Sequence, residues 1–297
     1  MNNSYVGIGT TIQLTEDNTG ILVIQVAAGG PAEEAGVLVG DVLIAVNGEN
    51  IVGLSTEEVK TKVVGDAGTF VTLTFLRAGH EITLEVERRV VNTPVAVGEM
   101  LEGRVGLITI ANFDARCSDE TIAAIEDLLA QGARALIFDV RFNPGGYAHE
   151  LGAVLDHILP EGDLFRTVDY LGKEAVDTSD ANCITGIPMA VLVNGDSYSA
   201  AEFFAAALRE YGYAFVVGEP TVGKGYFQRT YELDDGSAVG LSGGKYFTPK
   251  GGSLAEEGGL IPDIEVSVTE DEAFGIYAGT LAPEEDPQIL AALEALN

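Results

Sequence analysis

Three short runs contain residues whose types and spacing could do chemistry. In Asp139-Val140-Arg141-Phe142-Asn143-Pro144-Gly145-Gly146 an apolar strand candidate ends in Asn-Pro and two glycines. Glycine lets a backbone come close to a ligand, and N–H groups at a helix start can hold an oxyanion. In Asn194-Gly195-Asp196-Ser197-Tyr198-Ser199-Ala200-Ala201-Glu202 a serine opens an Ala-rich helix, with small neighbours that leave room for a substrate. That is a place for a nucleophile, although a helix cap is the bland reading of Ser197 or Ser199. The third run, residues 218–228, nearly matches the phosphate loop GxxxxGK[ST]. Gly225 stands where Ser or Thr must hold magnesium, and Glu219 and Pro220 fit phosphate poorly, so a nucleotide site is rejected. What remains is Lys224, flanked by glycines in a chain poor in lysine. Such a residue can serve as an amine base if burial brings an ordinary lysine pKa of about 10.4 down to roughly 7–8.

The elements that must position these runs change character along the chain. Residues 1–92 read as a small β-rich unit, with strands at 21–26, 41–46, 70–76 and 82–86. Short helices begin at Pro31 and after the capping residue Ser55. Asn47-Gly48 and Ala78-Gly79 are turn signals. From about residue 100, strands at 105–110, 135–140, 189–193 and 214–217 alternate with helices. One helix is expected to be capped by Ser118, one to span 147–159 and one to begin near Ser199. This order implies a mostly parallel sheet with helices on its faces. In such sheets ligands meet the carboxyl ends of strands, here after Val140, Val193 and Gly218.

Composition narrows the classes further. The 297 residues are 46% apolar, enough for a large core in about two domains. The 16 basic and 46 acidic residues give 16 − 46 = −30, which argues against nucleic acid and anionic membranes as partners. Cys117 and Cys183 are too far apart for a CxxC metal site. Among His80, His149 and His157, the run His149-Glu150-Leu151-Gly152-Ala153 lacks the second histidine of HExxH, so no metal is expected. No apolar stretch approaches the roughly 18 residues of a membrane helix. Met1-Asn2-Asn3-Ser4-Tyr5 lacks the regions of a signal peptide, so the chain is cytosolic as it reads or its targeting segment lies upstream.

In this order, DxRxNPGG, SxSAxE and TxGKGxxQ closely resemble the motifs of the carboxyl-terminal processing (tail-specific) serine peptidases with a PDZ domain. Asp235-Gly236-Ser237, Tyr246-Phe247-Thr248-Pro249 and Gly259-Leu260-Ile261-Pro262-Asp263-Ile264 are also similar, so the resemblance covers nearly the whole chain. It implies a PDZ-like domain over 1–92 and a crotonase-like α/β peptidase domain over 93–297. The activity implied is that of an endopeptidase on unfolded or tail-tagged polypeptides, working through a Ser/Lys dyad and an acyl-enzyme without cofactor or metal. Carried over, Ser199 is the nucleophile and Lys224, 224 − 199 = 25 residues on, its base. Gln228 orients the lysine, and the N–H groups of Ala200 and of Gly145 or Gly146 form the oxyanion hole. Gly7-Ile8-Gly9 matches the loop that holds a substrate's free C-terminal carboxylate. The chain departs from some relatives at Val64, where they carry arginine. The family's setting is the extracytoplasmic bacterial cell envelope, and a homodimer is left open.

Rival readings are weaker. A non-catalytic scaffold predicts loss of Ser199 or Lys224, and both are present. An acyl-CoA enzyme of the crotonase type would leave the PDZ unit and the run from Lys224 to Gln228 without purpose. His149, three residues after Gly146, competes with Lys224 as the base. It needs an orienting carboxylate, and Glu150 is expected to point elsewhere, because adjacent helical residues do not share a face.

Overall fold

The computed structural model describes residues 3–15, 17–184 and 186–296; Met1 and Asn2 of the N-terminal run lie outside them. The chain divides into two compact units, residues 3–93 and the chain from Pro94 onward.

In the first unit, β1 (Ser4–Gly7) pairs with β8 (Arg89–Asn92). A second sheet runs β2 (Thr10–Leu14), β3 (Ile21–Val26), β4 (Val42–Val46), β6 (Phe70–Arg77) and β7 (His80–Glu87), with β5 (Glu49–Asn50) on β4. The hairpin turns fall at Asn47-Gly48 and Ala78-Gly79, all four residues at positive φ, as the twist of two-residue hairpins requires. The helices are α1 (Pro31–Glu34) and α2 (Thr56–Val63). Ser55 caps α2 in a box with Glu58, whose carboxylate accepts the Ser55 N–H at 2.8 Å. Ile21, Val23, Leu43, Leu73 and Phe75 fill the core.

The second unit is built on a six-stranded sheet. It contains β9 (Ala96–Leu101), β10 (Val105–Ile110), β11 (Ala135–Asp139), β14 (Met189–Val193), β15 (Ala214–Gly218) and β18 (Ile264–Glu265). Their order is β18-β15-β14-β11-β10-β9, parallel throughout except for β9. Both β11 and β14 are buried at every residue, as strands covered on both faces must be. Helices α3 (Cys117–Ala130), α4 (Ala148–Ile158) and α5 (Ala200–Glu210) close one core, which contains Phe138, Val191 and Phe204. The opposite core joins Ile137, Leu192 and Val217 to Ile289 and Ala292 of α8 (Pro287–Ala295). The expected α/β architecture with a mostly parallel sheet is present. Because β11, β14 and β15 are neighbours, the loops after their carboxyl ends stand side by side, and all three chemical runs meet there.

Two features differ from the sequence expectation. Ser118 does not cap α3. Arg116, at φ 79°, precedes a helix that starts at Cys117, and Ser118 instead donates its N–H and hydroxyl to Glu150 Oε2, each at 2.7 Å. There is also a separate antiparallel sheet, β13-β12-β17-β16, of β12 (Gly162–Asp169), β13 (Glu174–Ser179), β16 (Tyr226–Glu232) and β17 (Ala238–Phe247). Its polar and glycine-containing strands lack clean alternation, so periodicity alone does not reveal them. The short α6 (Leu254–Glu257) and the helix α7 (Glu270–Ala278) complete the unit.

Candidate active site

Ser199 ends the turn after β14 and precedes α5, at φ 58° and ψ −124°. Such a conformation costs about 1–3 kcal/mol and persists only when its surroundings enforce it. Two neighbours do so. The Tyr198 N–H donates to the Asn143 carbonyl at 3.1 Å, and the Ser199 N–H donates to Glu202 Oε2 at 2.8 Å. Ser197 is fully buried; its hydroxyl donates to the Val140 carbonyl at 2.7 Å and accepts the Asn194 N–H at 3.0 Å. Of the two serines, Ser197 knits strand ends together and Ser199 faces a small cleft.

That cleft is lined by Gly146, Ala148, Leu151, Ser199, Ala200, Phe203 and Tyr246. A Cβ on Gly145 would lie 2.7 Å from Ser199 Cβ and 2.8 Å from the Ala200 nitrogen, and its φ is +85°. Only glycine permits so close an approach in that conformation. Gly146 lies as tightly against the Phe113 backbone, to which it is joined by a parallel bridge. The two glycines differ in what their N–H groups do. That of Gly145 is consumed by Asn143 Oδ1 at 2.8 Å. Those of Gly146 and Ala200 have no partner among the described residues. Asn143, itself fully buried, is fixed by its amide to the Ile110 carbonyl at 2.7 Å.

Lys224 follows β15 and is half-buried. Its N–H donates to Glu202 Oε2 at 2.9 Å, and its Nζ lies 5.2 Å from the Tyr198 ring centroid. Its amine has no ion-pair partner among the described residues. Glu202 is fully buried in the first turn of α5. Besides Ser199 and Lys224, it accepts the Thr221 hydroxyl at 2.5 Å and the Gly223 N–H at 2.6 Å, both on Oε1. One carboxylate thus joins the turn that carries Ser199 to the loop that carries Lys224. Sequence reading assigned it no role, although a lone acid in the apolar run Ala-Ala-Glu-Phe-Phe is a signal, since a buried carboxylate must be satisfied.

Arg141, at the start of the glycine loop, is another residue whose role the motif alone does not reveal. Its guanidinium is buried between Asp139 and Asp286. Burial opposes its charge, yet the two carboxylates outweigh burial and raise its pKa above the usual value.

Gln228 lies on β16 just past a β-bulge, with its side chain exposed. It makes no hydrogen bond to Lys224 among the described residues. The expectation about Glu150 needs correcting: its Oε1 lies 3.7 Å from His149 Nε2, because side chains of adjacent residues can lean together even when their Cβ directions diverge. His149 is nevertheless 76% exposed and stacks on Tyr147 at 5.3 Å between centroids. Cys117 is buried, which pushes its thiol up to about 12; both cysteines are free.

In the first unit, Gly7, Ile8 and Gly9 border a largely apolar cavity of about 520 Å³ that is also lined by Ile12, Val23, Leu73, Phe75, Lys60, Val63 and Val64. The Ile8 and Gly9 carbonyls accept the N–H groups of Ala32 and Ala27, at 2.8 and 2.9 Å. The N–H groups of Ile8 and Gly9 have no partner among the described residues. Beside Val64, the turn after α2 is held by Arg88, whose Nε donates to the Val63 carbonyl at 2.6 Å.

A serine at a sheet's carboxyl edge, with open N–H groups beside it and a groove-bearing β unit in the same chain, defines a class: serine-type peptidases with a PDZ domain. Residues 104–266 match the profile of peptidase family S41, and residues 22–77 match that of the PDZ domain. The chain belongs to peptidase family S41. It is 32% identical over 98% of its length to the carboxyl-terminal-processing protease of Synechocystis sp., and 34% identical over 90% to the carboxy-terminal processing protease CtpA of Bacillus subtilis. It spans 68% and 57% of the lengths of those two relatives. Among solved structures, it resembles a photosystem II D1 C-terminal processing protease with 28% identity and a TM-score of 0.54. That match covers 90% of this chain and 73% of the other.

Proposed function

We propose that the chain is a Ser/Lys endopeptidase that cuts loosely folded polypeptides whose free C-terminus is held by the PDZ unit. The observation that carries this is the meeting of Ser199 with the open N–H groups of Gly146 and Ala200 in one cleft. Ser199 Oγ attacks the scissile carbonyl as Lys224 Nζ takes its proton, and the carbonyl oxygen becomes an oxyanion facing the two N–H groups. The lysine passes the proton to the leaving amine. Water, deprotonated by the same lysine, then releases the acyl chain. Gln228 is assigned the orienting of that amine once substrate is bound, since catalytic hydrogen bonds often tighten only in the complex.

The Ile8 and Gly9 N–H groups would take the substrate's terminal carboxylate, with the adjoining apolar cavity taking its last side chain. The fold is assigned to the crotonase-like type on its parallel sheet and flanking helices, and the setting to the bacterial cell envelope on family resemblance.

The test is degradation of an unfolded protein with an apolar C-terminal tail, comparing wild type with Ser199→Ala. Cleavage by the wild type alone, unaffected by EDTA and without ATP, is expected. Cleavage that Ser199→Ala retains, or that needs ATP or metal, refutes the proposal.

A further inference from the structure

Asp286 and Gln288 lie beyond the segment matched to the peptidase family, residues 104–266, yet both end on Arg141. Nη1 of Arg141 donates to Asp286 Oδ2 at 2.8 Å and to Gln288 Oε1 at 3.0 Å. Asp139 takes the rest of the guanidinium, with Nε at 2.9 Å and Nη2 at 2.5 Å, and accepts the Arg141 N–H at 3.0 Å. Asp286 is 2% exposed and Gln288 fully buried, so the pair cannot exchange Arg141 for water.

Both residues are held from behind. Asp286 Oδ1 caps α8 by accepting the N–H groups of Gln288 and Ile289, at 2.9 and 3.2 Å. Gln288 Nε2 donates to the Val266 carbonyl at 2.7 Å. The helix is packed against the sheet through Ile289 and Ala292. What this packed helix holds is the first residue of the glycine loop. Phe142 follows at φ 58°, then Asn143, which fixes Gly145, then Gly146 with its open N–H. A loop bent into that conformation stays put only if its ends are anchored.

The geometry points to Asp286 and Gln288 as positioning residues for the peptidase reaction. Through Arg141 they keep the Gly146 N–H where the oxyanion forms. The inference rests on the Ser/Lys reading above.

Asp286→Asn tests it, because Asn caps a helix as well as Asp does, while the Nδ2 amide that replaces Oδ2 removes both the charge and the acceptor facing Arg141. A misplacement of about 1 Å can cost about 10²-fold, and a lost oxyanion donor about 10²–10³-fold. A loosened loop should therefore lower kcat about 10- to 100-fold, with KM within about twofold. A peptide aldehyde, which places an oxyanion on its adduct with Ser199, should bind more weakly in step with kcat. Amide exchange should quicken in residues 142–147 and stay unchanged in β14 and β15. Gln288→Leu, which keeps both cap and charge, should act in the same direction more weakly and carries the test if Asp286→Asn does not fold. Unchanged exchange over 142–147 in a folded variant overturns the inference even if the chain cleaves nothing. Faster exchange with unchanged kcat overturns it too. A wild type that cleaves nothing, with the exchange difference present, instead removes the peptidase reading and with it the catalytic role.

Discussion

Glu202 Oε2 accepts the Lys224 backbone N–H at 2.9 Å, and the same oxygen accepts that of Ser199 at 2.8 Å. With Thr221 and Gly223 on Oε1, each oxygen faces two donors. Glu202→Gln must therefore turn an N–H₂ toward two donors. This is expected to cost about 2–4 kcal/mol of stability and to lower kcat by about 10²-fold through displacement of Ser199 and Lys224, as the proposed function requires. Denaturant unfolding and steady-state kinetics check both, and a variant with wild-type kcat contradicts the bridging role.

Ser199→Ala removes a cleft-facing hydroxyl and should lower turnover by about 10⁴-fold or more, with stability unchanged within about 1 kcal/mol. Ser197→Ala removes a fully buried hydroxyl bonded to Val140 and Asn194. It should cost about 1–3 kcal/mol of stability while the folded fraction keeps its activity. The opposite pattern would move the nucleophile by two residues.

Lys224→Ala is expected to reduce turnover nearly as far as Ser199→Ala does, since residues acting as one unit are not additive. His149→Ala should stay within about threefold of wild type, because its ring is exposed and stacked on Tyr147. Measured kcat/KM values in the reverse order would assign the base to His149.

Peptide recognition is best measured on the full chain carrying Ser199→Ala, which cannot consume its ligand. A peptide with a free carboxylate and an apolar last residue should bind about 10- to 100-fold more tightly than its C-terminal amide, the weight of a charge-assisted hydrogen bond. Equal affinities in calorimetry would remove Ile8 and Gly9 as carboxylate donors.

Asp41 supplies an acid-dependent element of the first unit. It is 1% exposed and bonds Arg77 Nε and Nη2, each at 2.7 Å. Burial pushes its carboxyl pKa up, but the Arg77 hydrogen bonds, the Leu38 N–H and the Arg77 charge outweigh it, and the net shift is downward. Its stabilisation is thus complete above the unfolded value of about 3.9 and is lost as pH falls through that value to the lower folded one. Asp41→Asn should cost about 2–3 kcal/mol at pH 7, discounted from a fully buried pair because Arg77 is partly exposed. The gap to wild type should close below about pH 4, and a gap independent of pH would contradict this assignment.

Much of this was legible in the amino-acid order. The unbroken apolar runs at 135–138 and 189–193 specify strands buried on both faces. Asn47-Gly48 and Ala78-Gly79 specify their turns, and the alternation of strands and helices specifies a parallel sheet with its chemistry at the carboxyl ends. These are local properties of a chain with period-2 or period-3.6 patterning, so they can be read without knowing what packs on what. The three motifs likewise mark the runs that carry Ser199 and Lys224, which the sheet brings to one edge. Strand adjacency is not local. The Ser199–Glu202 contact is local, but only the adjacency of β14 and β15 brings Lys224 to the same carboxylate, and only the fold brings Asp286 to Arg141 from 286 − 141 = 145 residues away. Which of Gly145 and Gly146 keeps an open N–H also depended on the tertiary structure. It turns on which N–H the Asn143 side chain consumes, and that follows from a rotamer fixed by the Ile110 carbonyl on the neighbouring strand. Hydrogen bonds between loops are short-ranged and directional, so they are settled only when packing has placed donor and acceptor together.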